Sequence, residues 1–263
     1  MPPEEIEDPE TVLITGASAG IGRALAQRFA RDGARLVLVA RREGRLRELA
    51  AELSAKGAPE PVVLPWDLGA AGSGERLAEH LKERGLRVDV LVNNAGFGLH
   101  DAFVEHPPER LRSMLALNVE ALTVLAHRLL PAMLERGRGG VLNVASTAAF
   151  QPGPGMSAYF ATKAYVLSLS EGLHEELRGS GVTCTALCPG ATSTEFLKVA
   201  GLPETRAFRL VAQSPEAVAR SGHRAFRRGR AVAVSGWLNA LGTVGVRLGP
   251  RALVRRVVAR VIG

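Results

Sequence analysis

The chain has 263 residues, 46% of them hydrophobic, and a formal net charge of +7. That is enough apolar material for one large α/β core, and no run of roughly 18 or more uncharged apolar residues marks a membrane-spanning helix. No zinc-ligand pattern accompanies the charge and only 5% of residues are aromatic, which argues against a nucleic-acid reader and for an arginine-rich solvated surface.

Met1 to Glu10 is acidic and proline-rich, unlike a signal peptide, and is expected to be a frayed tail on a cytoplasmic protein. Thr11 to Thr15 reads as a short buried strand that runs into Gly16-Ala-Ser-Ala-Gly20-Ile-Gly22 and a helix-like stretch to Arg31. Glycines between strand and helix permit a tight turn and close approach of backbone to a phosphate, with the helix N-terminus offering free N–H groups. Gly16, Ser18, Ala19, Gly20, Ile21 and Gly22 are therefore candidate contacts to a pyrophosphate. No Lys-Ser/Thr pair follows, so this is not an ATP-type loop.

Arg35 to Ala40 is a second buried strand, followed directly by Arg41 and Arg42. An acid at this place would hold a ribose 2′-hydroxyl, whereas an arginine accommodates a 2′-phosphate. The pair predicts NADP(H) over NAD(H), unless both arginines only cap the next helix. Pro61 to Trp66 is a third strand, with Asp67 at its end as a candidate acceptor for an adenine amino group. Val88 to Val92 is a fourth strand, and Asn93-Asn94-Ala95-Gly96 after it suits a backbone closing over a cofactor ribose, or an ordinary turn.

Pro107 to Arg136 reads as one long helix with Asn118 inside its apolar stripe. A buried mid-helix amide costs stability unless satisfied, so Asn118 is a local satisfied polar group or part of a site. Val141 to Ala145 is a fifth strand that ends at Ser146, and a helix containing Tyr159 and Lys163 follows, reaching to about Arg178. Residues four apart on a helix share a face. An ammonium there would favour the phenolate and move a tyrosine pKa of about 10 toward neutrality.

Cys184 and Cys188 fall in one extended run, Val182 to Cys188. Four residues of strand span roughly 13 Å, too far for a disulfide, so both are expected to be core thiols. Pro189-Gly-Ala-Thr-Ser-Thr194 then turns into Glu195-Phe-Leu and a glycine- and proline-spotted loop. Pro215 to Arg228 looks helical, Ala231 to Ser235 is a seventh and last strand, and 236–263 is an arginine-rich helical extension broken at Gly249-Pro250. Strands alternating with helices imply a single-domain, Rossmann-like, doubly wound parallel sheet of seven strands over 11–235, helices on both faces.

Thr15-Gly-Ala-Ser-Ala-Gly-Ile-Gly22, Asn93-Asn-Ala-Gly96, Asn118, Ser146, Tyr159-x-x-x-Lys163 and Pro189-Gly190 together resemble the short-chain dehydrogenase/reductase family, in its order and spacing. The resemblance implies Tyr159 as general acid/base and Lys163 as the group that depresses its pKa and holds the nicotinamide ribose. It also implies that Ser146 orients and polarises a carbonyl and that Asn118 fixes a water linking Lys163 to solvent. Asn94, Ala95, Gly96, Pro189, Gly190 and either Thr192 or Thr194 would line the cofactor.

Phe97, Leu99, Ala148, Phe150, Pro152, Met156, Phe196 and Leu197 are expected to face the reacting carbon. Their apolar character points to a lipophilic ketone, aldehyde or secondary alcohol. A 3-oxoacyl thioester reductase and a non-catalytic NADP(H)-binding regulatory protein are the alternatives. The family also implies a homodimer through the long helices, while the basic tail leaves tetramer formation open. That tail is expected to cover the protein's own core, with a partner surface or a peripheral membrane contact as further options.

Overall fold

The computed structural model describes residues 9–203 and 206–262. Most of the expected N-terminal tail lies outside them. Glu10, however, belongs to the body: its carbonyl accepts from Arg35 N at 2.9 Å and its carboxylate pairs with Arg227 at 2.6 Å.

Seven strands form one sheet: β1 (Thr11–Thr15), β2 (Arg35–Ala40), β3 (Val62–Pro65), β4 (Val90–Asn93), β5 (Gly139–Val144), β6 (Val182–Cys188) and β7 (Val232–Val234). Every pairing is parallel, in the order β3-β2-β1-β4-β5-β6-β7. The runs are apolar along their whole length because both faces are covered. In β1, Val12 and Ile14 enter the layer beneath α1 (Gly20–Arg31), α2 (Glu43–Ala55) and α9 (Pro215–Arg227). Leu13, between them, points to the opposite layer under α3 (Ser73–Glu83) and α5 (Leu122–Arg136).

The chain winds outward from β1 to β3, then returns through β4 and winds the other way. This reversal opens a crevice at the carboxyl ends of β1 and β4, where ligands bind in such sheets.

Two expectations about helices need correction. The Pro107–Arg136 run is helical from α4 (Pro108–Leu115) through α5 but contains a π turn, Ala116–Ala121, centred on Asn118. Its length and apolar composition would suffice to cross a bilayer. Its packing is that of a core helix, with Met114, Leu125 and Met133 wholly buried. The segment after β6 is not a plain loop: it carries α7 (Phe196–Ala200) and α8 (Arg206–Val211). The tyrosine helix is α6 (Ser157–Glu176), and the tail forms α10 (Trp237–Leu248) and α11 (Arg251–Ile262), parted at Gly249-Pro250 as expected. Cys184 and Cys188 are free and buried.

Candidate active site

The crevice is a cavity of about 820 Å³ that runs from the glycine turn to the apolar loop after β6. At one end Gly16 and Gly20 have φ of +66° and +55°, the left-handed region that favours glycine. A side chain at Gly16 would also meet Asn94 Nδ2 at 2.7 Å. The turn is pinned by its neighbour strand. Asn94 Nδ2 donates to the Thr15 and Gly16 carbonyls at 2.9 and 3.2 Å, and Thr15 Oγ1 accepts from Asn94 N and Ala95 N, both at 3.0 Å. Ala19, the residue before α1, supplies no side-chain cap, and Ala19, Gly20 and Ile21 line the cavity, so the first N–H groups of the helix are left for a ligand.

Gly16, Ser18, Ala19, Gly20, Ile21, Arg41, Arg42, Asp67, Asn94, Ala95 and Gly96 all line this end. Gly22 does not. It is the packing glycine of the set, since a side chain there would strike the Gly16 carbonyl at 2.4 Å. Asp67 spends one carboxylate oxygen on Gly69 N at 2.9 Å. Arg42 reaches back to Ser18 Oγ at 3.1 Å and across the cavity to Glu195 at 2.6 Å, where Arg45 joins at 3.3 Å. Its hydrogen bond from Arg42, aided by the Arg45 charge, holds the Glu195 carboxyl below the usual range. Nothing in the sequence flagged Glu195, because its partners lie on a different element 150 or more residues away.

At the other end stand the four residues of the expected catalytic set. Ser146 follows β5, and its Oγ accepts from Ala148 N at 3.1 Å, capping the short 3-10 turn Thr147–Phe150. The Tyr159 hydroxyl is hydrogen-bonded to Ser146. Lys163, one turn further along α6, is buried; its Nζ donates to the Val144 carbonyl at 2.8 Å and sits 5.8 Å from the Tyr159 ring centre. Asn118 is fully satisfied: Nδ2 donates to Phe97 O at 2.9 Å and Thr162 Oγ1 at 3.2 Å, while Oδ1 accepts from Phe97 N at 3.1 Å. A side chain at Gly96 would intrude here, 3.1 Å from Asn118 Oδ1 and 3.5 Å from Lys163 Nζ. Thr162, which also donates to the Tyr159 carbonyl at 2.7 Å, is a supporting residue that the sequence reading missed.

The electrostatics differ from the expectation. Burial pushes the Tyr159 phenol up to about 12, with the Ser146 hydrogen bond pulling the other way. Burial also pushes Lys163 down to about 8. Desolvation therefore outweighs the pull of Ser146 on the phenol. At neutral pH the site holds a protonated tyrosine beside a protonated lysine.

Pro189, Gly190, Thr192 and Thr194 line the cavity, as do Phe97, Ala148, Met156, Phe196 and Leu197. Phe196 packs against the Tyr159 ring with centroids 5.2 Å apart. Phe150 does not line it. Its ring packs with the Ala145 and Val166 cluster, under the Arg247 guanidinium 5.2 Å from the ring centroid. Leu99 and Pro152 also lie off the wall. Leu202, Phe208 and Val211 complete it from the unforeseen α7–α8 segment.

The family model for short chain dehydrogenases matches residues 10–204. The chain belongs to the short-chain dehydrogenase/reductase family. Sulfoacetaldehyde reductase 2 of Chromohalobacter salexigens is 38% identical over 196 residues, 72% of this chain and 75% of that relative. A short-chain dehydrogenase from Sphingobium yanoikuyae, solved with NADPH, superposes with a TM-score of 0.80 at 37% identity, covering 91% of this chain and 94% of that one. The bulky-bulky ketone specific alcohol dehydrogenase of Comamonas testosteroni is 33% identical, with a TM-score of 0.76 over 91% and 93% of the two chains. A family member from Burkholderia phymatum, 28% identical at a TM-score of 0.78 over 90% and 92%, was solved with NAD. These relatives place the chain among oxidoreductases acting on the CH-OH/C=O pair.

Proposed function

We propose that this chain is an NADP(H)-dependent carbonyl reductase for bulky, lipophilic ketones or aldehydes. The observation that carries the reading is the Tyr159–Ser146 hydroxyl pair, with Lys163 behind it, in the same cavity as an uncapped helix start and two arginines. The cradle fits a dinucleotide: left-handed glycines leave room for a pyrophosphate at the start of α1. Arg41 and Arg42 line the same end of the cavity, which supports a contact to a 2′-phosphate, and Asp67 beside them supports one to the adenine. A bound nicotinamide supplies the hydride.

The chain's own groups do the rest. Ser146 Oγ and the Tyr159 hydroxyl would both donate to the substrate oxygen, polarising the carbonyl. Tyr159 then gives up its proton as negative charge grows on that oxygen. Lys163, still charged below about pH 8, stabilises the phenolate that remains, and its short bond to Val144 keeps it in place. Because Tyr159 is held in its acid form, the site is poised for reduction near neutrality. The reverse reaction needs the phenolate, which alkaline pH favours.

The substrate end offers Ala148, Met156, Phe160, Phe196, Leu202 and Phe208, walls that reward apolar surface and leave a small anion without a partner. NADPH oxidation followed with a panel of carbonyl compounds tests this. Bulky aryl or alicyclic ketones should be reduced with kcat/KM well above that for small charged aldehydes. Reversed preference would overturn the substrate class, and no turnover of any carbonyl compound by a protein that binds NADPH would overturn the enzyme.

A further inference from the structure

Helix α10 is inside out. Trp237 (74% exposed), Leu241 (64%), Val244 (53%) and Leu248 (82%) recur at three- and four-residue spacing and form one solvent-facing stripe. The face turned to the protein carries small or polar residues instead: Thr243 is buried, and Asn239 donates to the Ser235 carbonyl at 2.7 Å. In α11, Val254 and Val258 pack inward on the cluster that holds Tyr159 and Phe160. Leu253 and Val257 are left outside with Arg256 and Arg260.

Charge identifies the occupant of this surface. From Trp237 to Gly263 the sequence has five arginines and no acidic residue. Arg247 lies over Phe150 and near Glu171, whereas Arg251, Arg255, Arg256 and Arg260 enter no ion pair among the described residues. An apolar stripe with a tryptophan at one end and unpaired arginines beside it matches the polar–apolar boundary of an anionic bilayer. A second copy of the same face would set one cationic surface against another, which costs energy without compensating acids.

We propose that the outer face of α10 and α11 docks on anionic lipid bilayers. Trp237, Leu241 and Leu248 enter the headgroup–acyl boundary while the α11 arginines meet lipid phosphates. The inner face of α11 packs in the same apolar cluster as Tyr159. Docking in this way brings the catalytic cluster close to a lipid-dissolved substrate. Membrane docking and carbonyl reduction are separable, because vesicle binding is read without turnover.

The test is co-sedimentation of the full chain with phosphatidylcholine vesicles, with and without roughly one-third phosphatidylglycerol. Binding should require the anionic lipid and fall steeply with salt. Trp237→Ser/Leu241→Ser/Leu248→Ser and Arg251→Gln/Arg255→Gln/Arg256→Gln should each lower partitioning by roughly tenfold or more. All six positions are exposed, so both variants should keep the wild-type circular dichroism and NADPH affinity. The proposal is overturned by absence of binding to anionic vesicles, by equal binding to pure phosphatidylcholine, or by partitioning that neither folded variant reduces. A wild-type dimer that the apolar triple variant converts to monomer, with no vesicle binding, would overturn it in favour of a second copy.

Discussion

Lys163 is the residue on which the site's chemistry and its stability conflict. Its ammonium is buried and donates to the Val144 carbonyl. Its pKa falls from 10.5 to about 8. Between these two values the unfolded chain holds a proton that the folded chain has lost, so stability rises with pH from about 8 to 10.5. Below pH 8 the folded state carries the full penalty, on the order of 3 kcal/mol at 1.36 kcal/mol per pKa unit. Lys163→Met keeps the volume without the charge and leaves the Val144 carbonyl unpaired at a cost of about 1 kcal/mol. The variant should therefore be roughly 1–2 kcal/mol more stable than the native protein at pH 7 in urea melts. The advantage should vanish by about pH 10.5, and turnover should be lost at every pH. A variant less stable than the native chain at pH 7 would show that the buried charge is compensated.

The elements explain which residues could be read from the sequence. Residues whose role is set by local chain geometry were legible: the glycine turn between β1 and α1, Ser146 at the end of β5, and Tyr159 and Lys163 one turn apart on α6. Residues whose role depends on a distant element were not. Phe150 is apolar and lies between the wall residues Ala148 and Gln151, but the 3-10 turn capped by Ser146 sends it toward Arg247. Asn118 was legible as a buried amide. The π turn that carries it was not, since no residue type marks such a turn.

Glu195 is the clearest case. It lies at the start of α7, yet closes over α2 by pairing with Arg42 and Arg45. Both ends of the pair are nearly half exposed, so it is worth less than about 1 kcal/mol, and a doubly charged phosphate would displace the carboxylate from the arginines. Glu195→Gln should tighten NADPH binding several-fold and leave NADH binding unchanged, as followed by cofactor fluorescence. Equal effects on the two cofactors would remove Arg42 from the 2′-phosphate site.

At the scale of the molecule, strand–helix alternation and the all-apolar strands made the doubly wound sheet readable, because parallel strands buried on both faces leave that pattern. The boundary of the tail was less readable. Glu10 joins the body through Arg227, a partner 217 residues away, and α11 packs one face in the apolar cluster of Tyr159 while the other faces outward. Composition alone does not tell an amphipathic helix facing the core from one facing out. Packing does.

The account as a whole rests on Tyr159 as the proton donor to a carbonyl that receives hydride in the same cavity. Removing its one oxygen, Tyr159→Phe, leaves the apolar contacts with Phe160 and Phe196 and should leave NADPH affinity within about twofold. Single-turnover hydride transfer from bound NADPH to a bulky ketone should slow by roughly 10²–10⁴-fold. A variant that binds NADPH normally and transfers hydride at more than about a tenth of the native rate would contradict the account.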